Sequence, residues 1–131
     1  MNFIKHTLPG LSWALLIFIL SSVSPAKLHL PSFWDLFSLD KASHATCYAI
    51  LVFLLSKGFR KQIQLKFALL HSTGTAFVFA IIYGGLIELY QDFFLTNRNA
   101  DWFDFIANCI GSFIGLRIFL KWKMGNRVIA N

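Results

Sequence analysis

Four apolar stretches, each close to the length that crosses a bilayer, fill most of this chain, and the short connections between them alternate in charge sign. They run roughly over Leu8–Val23, Lys41–Ser56, Phe67–Tyr90 and Trp102–Leu120. A hydrocarbon core about 30 Å thick takes on the order of 20 helical residues. Within it only helices or closed barrels satisfy their own backbone groups. The first two stretches are short, so Lys and interfacial side chains have to meet the headgroups at their ends. The expected fold is an all-α integral membrane protein, a bundle of four transmembrane helices making a single domain over residues 1–131. No repeat, low-complexity tract or second domain is visible.

Composition enters as a check on that reading. Only 14% of the residues are charged and 56% are hydrophobic, where a soluble domain carries about 25% charged residues. Too little polar surface remains to cover a water-soluble core. The net charge of +6 would otherwise raise nucleic acid as a partner. Here the positive residues sit in short stretches between spans, where orientation during insertion accounts for them. Membrane lipids are the expected partners, and nucleic acid is not.

The connections set a direction. Lys57, Arg60, Lys61 and Lys66 join the second and third stretches without an acid, and Lys121, Lys123 and Arg127 follow the fourth. The connections Pro25–Asp40 and Asp92–Asp101 hold only Lys27 and Arg98 among their acids. By the positive-inside rule both termini are cytoplasmic and the acidic connections lie outside. Lys5 agrees. The N-terminus also has signal-peptide features, with Leu11–Leu20 as the apolar centre and Ser24-Pro25-Ala26 as small residues near a cleavage position. Its apolar run exceeds the usual signal-peptide core, so a retained first helix is expected. Phe33, Trp34, Trp102, Phe103 and Trp122 suit the headgroup boundary as anchors. Cys47 and Cys109 lie inside apolar spans and read as small hydrophobes, with a disulfide left open.

All six carboxylates lie at or near one end of the spans. His44 is one turn inside Lys41, and Tyr48 one turn deeper on the same face. Asp101, Asp104 and Asn108 descend the fourth span in steps of three and four. Glu88 and Gln91 share a face of the third, with Glu88 about 33 Å along the helix from Lys66. Three stripes thus reach a similar depth. Ionisable groups there are costly unless they face one another or water, so they should point inward. Plainer roles compete: Asp40 and Asp101 as helix caps, and Asp101 with Asp104 as a capping-box-like pair. His44 is as readily an interhelical hydrogen-bonding residue with Glu88 or Asp104 as its partner. Gly84, Gly85, Gly111 and Gly115 read as helix packing contacts, the last two spaced as GxxxG.

The ordered set Asp40-Lys41-x-x-His44 with Tyr48, Glu88-x-x-Gln91, then Arg98, Asp104, Asn108, Gly111 and Gly115 resembles the VanZ-like family of small bacterial membrane proteins. Ser21-Ser22 and Pro25 are similar to that family's opening segment. The resemblance spans the chain from the first helix to Leu120. It implies a four-helix domain in the cell envelope, in a bacterial cytoplasmic (inner) membrane, and a link to glycopeptide resistance, since the founding member is associated with teicoplanin resistance.

Three functions follow as expectations. The first is a non-enzymatic envelope protein whose outward polar site binds a lipid headgroup, a cell-wall precursor or an envelope protein, with Lys41 and Arg98 suited to phosphate. Its network is His44, Glu88, Asp104 and Asn108, with Asp40, Lys41, Gln91 and Arg98 at the mouth. The alternative is an intramembrane hydrolase or transferase acting on an envelope lipid, with Glu88 and Asp104 as acid and base and His44 as shuttle. Transport ranks last, because the inner half offers no chain of ionisable groups. His44, Asp40, Glu88 and Asp104 have metal-ligand chemistry but no ligand-motif spacing, and no metal or cofactor is expected.

Overall fold

A computed structural model describes residues 2–23, 37–62, 66–95 and 101–128. They form four helices: α1 (Asn2–Ser22), α2 (Phe37–Gln62), α3 (Lys66–Phe94) and α4 (Trp102–Val128), with no strand among the described residues. All four are long and apolar enough to cross a membrane, over Ile4–Ser22, Lys41–Lys61, Ser72–Phe94 and Trp102–Asn126.

Most helix ends lie beyond the apolar stretch that predicts the helix. The α2 helix begins at Phe37 and ends at Gln62, and α4 continues to Val128. Hydropathy marks where lipid contact should stop. Helix propensity carries Lys, Arg and Gln onward, because straight-chain residues lose little freedom in a helix. The α1 helix starts at Asn2 and runs through Pro9, forgoing one backbone hydrogen bond there. This extension moves Asp40 from the cap position that its sequence context predicts into the first turn of α2.

Packing centres on α2, which touches the other three helices, whereas α1 and α4 do not meet among the described residues. Its most extensive partner is α4. A Cβ on Gly111 would collide with the backbone of Ala45, and one on Gly115 with the backbone of Ala49. The GxxxG stripe of α4 therefore lies directly on an Ala-x-x-x-Ala stripe of α2, and backbone approach replaces side-chain interdigitation. Gly58 plays the same part against α1, where an added Cβ would come within 2.6 Å of the His6 carbonyl oxygen. Gly85 is different: only the Phe105 ring is near, at 3.5 Å, an ordinary contact.

The polarity of inside and outside is that of a membrane protein. Tyr48, Leu51, Val52, Leu55, Ala76 and Ala80 build the central core, but Ser56, Ser72, Gln91, Asn108 and Ser112 are buried as well. Outward positions carry Leu15, Leu20, Ile82, Leu86, Phe113 and Ile118, all at least half exposed. A water-soluble bundle would reverse that distribution. Side chains also tie helices through backbone carbonyls. Trp13 Nε1 donates to Cys47 O at 2.9 Å and the Tyr83 hydroxyl to Ala14 O at 2.7 Å. Cys47 and Cys109 are free thiols, so the disulfide is not formed.

The two ends differ chemically. At one, Trp122 packs edge-on against Phe53, with Lys57 and Arg60 placed 5.7 and 5.8 Å from its ring centre. This basic, aromatic rim suits a headgroup boundary. At the other end lie the described carboxylates, Glu88, Asp92, Asp101 and Asp104.

Candidate functional site

The α2, α3 and α4 helices run in alternating directions, so the start of α2, the finish of α3 and the start of α4 share one end of the bundle. That geometry brings Lys41, His44, Glu88, Asp104 and Asn108 together. Lys41 Nζ donates to Asp101 Oδ2 at 2.7 Å and also to Asp104 Oδ1. His44 Nδ1 lies 3.1 Å from Asn108 Oδ1. An amide oxygen only accepts, so with Asn108 in this orientation the contact is a hydrogen bond when Nδ1 carries the proton. Nε2 is thereby turned towards Asp104 Oδ2, at 3.7 Å. One ligand atom from each of His44, Glu88 and Asp104 lies within 4.8 Å of the other two. Glu88 and Asp104 are both only 5% exposed.

Asp101 completes this group, although its sequence position points to a cap alone. Its Oδ1 does accept the Phe103 N–H at 2.8 Å, as a cap should. The reciprocal half of the capping box is absent: the Asp101 N–H donates to Glu88 Oε2 at 3.2 Å instead of to Asp104. A carboxylate from α3 thus performs the task that the third residue of α4 would ordinarily perform, and Asp104 is released to Lys41 and His44. Asp101 lies outside the membrane-spanning segment. Its carboxyl is held below its usual range, first by the Lys41 hydrogen bond and then by the Phe103 N–H.

Directly beneath, α3 thins to let two side chains in. The Cβ position of Gly84 lies 3.2 Å from Tyr48 Cε1 and 3.4 Å from Asn108 Nδ2, so a side chain there would press on both. Gly84 is one turn from Glu88 on the same face, which places Tyr48 and Asn108 under the carboxylates. The buried Tyr48 hydroxyl and Asn108 Nδ2 have no hydrogen-bond partner among the described residues.

Other expected members stand elsewhere. Gln91 is fully buried and its Nε2 donates to Ser21 O of α1 at 3.1 Å. It is a tie between helices, not a group at the mouth. Asp40 belongs to the first turn of α2, and Arg98 lies outside the described residues. Lys41 is engaged by two carboxylates, so phosphate binding through it would have to displace one of them.

A cleft between α3 and α4 opens beside the cluster. Ile82, Leu86, Leu89, Trp102 and Phe105 line it together with Glu88 and Asp101, and its surface is almost wholly apolar. Its volume is about 390 Å³, within the range of small-molecule sites. Neither this cleft nor the partner of Gln91 could be seen from spacing, because both depend on how far α3 and α4 stand apart. Compared with protein families, curated proteins and solved structures, the chain matches none.

Proposed function

We propose that this chain is a multi-pass protein of the bacterial cytoplasmic membrane, VanZ-like in its motif pattern, that holds one amphiphilic envelope lipid. The lipid's chain would occupy the α3–α4 cleft and its headgroup the carboxylate cluster. One observation carries this reading: an apolar cleft between α3 and α4 has two acids of the cluster, Glu88 and Asp101, among the residues that line it. Carboxylates accept hydrogen bonds from hydroxyl and amine donors. With Lys41 already engaged, a headgroup rich in hydroxyls or amines fits better than a bare phosphate. The basic connections favour cytoplasmic termini, which puts the cluster on the outer face, where cell-wall precursors are used.

Mass spectrometry of lipid co-purified with the protein tests the reading. Wild-type protein should retain one dominant lipid, and Leu86→Trp, which fills the cleft from its exposed side, should lose it. The same lipid at the same amount in both proteins would refute lateral binding. A role in glycopeptide resistance rests on the motif resemblance alone. It predicts that deleting the protein lowers teicoplanin tolerance.

A second reading has one observation in its favour. Three groups able to exchange protons, His44, Glu88 and Asp104, approach within 4.8 Å in a buried setting, as an intramembrane hydrolase or transferase would need. Turnover of labelled lipid by wild type, lost in Glu88→Gln, would support it.

A further inference from the structure

We propose that His44, Glu88 and Asp104 form a binding site for a divalent cation of the zinc or manganese type. Spacing along the chain hides this set, since its members come from three helices. The inference does not rest on lipid binding.

Four features support it. The ligand chemistry is right: one imidazole nitrogen and two carboxylates make the mixed N/O set that such ions take. The distances are close to those required. Metal–ligand bonds of about 2.1 Å place ligand atoms about 3.4 Å apart in a tetrahedral shell. His44 Nε2 and Asp104 Oδ2 are 3.7 Å apart, and no pair exceeds 4.8 Å.

The surroundings are those of a built site. A metal-ligating imidazole ordinarily donates its other N–H to an acceptor that fixes ring and tautomer. Asn108 Oδ1 does this for His44 Nδ1, leaving Nε2 directed at Asp104. Lys41 holds the other oxygen of Asp104, so Oδ2 is the one presented to the site. The fourth feature is independent of the ligands. Tyr48, 1% exposed and packed under Glu88 at Gly84, has a buried hydroxyl with no hydrogen-bond partner among the described residues. A bound ion that keeps a water would give that hydroxyl an acceptor or donor.

The experiment uses the full chain in detergent without added lipid, stripped with chelator and titrated with Zn²⁺ by calorimetry and metal analysis. One zinc per chain is expected. His44→Ala and Glu88→Gln should each weaken binding at least 100-fold, and Asn108→Ala by about 10–100-fold, the usual effect of losing an orienting partner. His6→Ala, at the opposite end of the bundle, should bind as wild type does. Binding unchanged in both His44→Ala and Glu88→Gln would overturn the site. Substitution with Co²⁺ gives a readout free of variant folding: wild type should show the visible absorption of cobalt bound by nitrogen and oxygen. Wild-type protein that binds neither ion stoichiometrically overturns the proposal, while lipid retention could still stand.

Discussion

At the scale of single residues, the ionic group at the acidic end is held by Lys41. Its ammonium bonds two carboxylates, and the Asp104 side chain is 7% exposed. Removing one partner of a buried ion pair leaves the other charge uncompensated, at a cost of about 3–5 kcal/mol. Lys41→Met should therefore lower the melting temperature markedly, and a second change, Asp104→Asn, should recover much of the loss. A double-variant thermal series measures the coupling. Asp101 gives a pH signature. Its folded carboxyl ionises below its usual value of 3.8. The stabilisation is then complete above that value and fades as pH falls through the lower, folded one. Asp101→Asn should flatten the acid limb of the melting profile below about pH 4 and leave it unchanged near neutrality.

At the scale of helices and their contacts, the close contact of α2 with α4 sets what can be changed. Gly111→Leu or Gly115→Leu would drive a side chain into the backbone of Ala45 or Ala49. Overpacking in a tight core costs about 1–3 kcal/mol and more where backbone is struck. Either variant should fail to give a monodisperse folded protein in size-exclusion chromatography. Gly85→Ala meets only the Phe105 ring and should stay within about 0.5 kcal/mol of wild type. These contacts also show what was legible in advance. The GxxxG spacing identified the packing stripe, and hydropathy found four helices. The same reasoning treated Gly85 like its neighbours, because a helical wheel gives a residue's direction but not its neighbour's distance. The apolar run beginning beside Asp40 offers it a cap role as well as a place at the mouth of the site, whereas α2 starts a turn earlier at Phe37. The interval from Glu88 predicts Gln91 beside the acids; its side chain instead reaches the Ser21 carbonyl of α1.

At the scale of the whole molecule, depth was readable and azimuth only in part. Rise per residue correctly put His44, Glu88 and Asp104 at one level, since it is fixed by helix geometry. Their mutual orientation followed from the cost of showing charge to lipid, a constraint strong enough to act as long-range information. The α3–α4 opening had no such constraint, and no local pattern announces it. Topology is testable with single cysteines on a background lacking Cys47 and Cys109. Reporters replacing Asn2 and Asn126 should label from one side of sealed vesicles, and a reporter replacing Asp92 from the other.

The bond from the Asp101 N–H to Glu88 Oε2 makes the beginning of one helix conditional on an acid borrowed from another. Anything that claims Glu88, whether a proton, an ion or a headgroup, must contend with the first winding of α4. Occupancy would then be audible in the backbone: amide exchange at residues 101–104 should speed up or slow down as the acid changes hands, with the far end of the same helix silent.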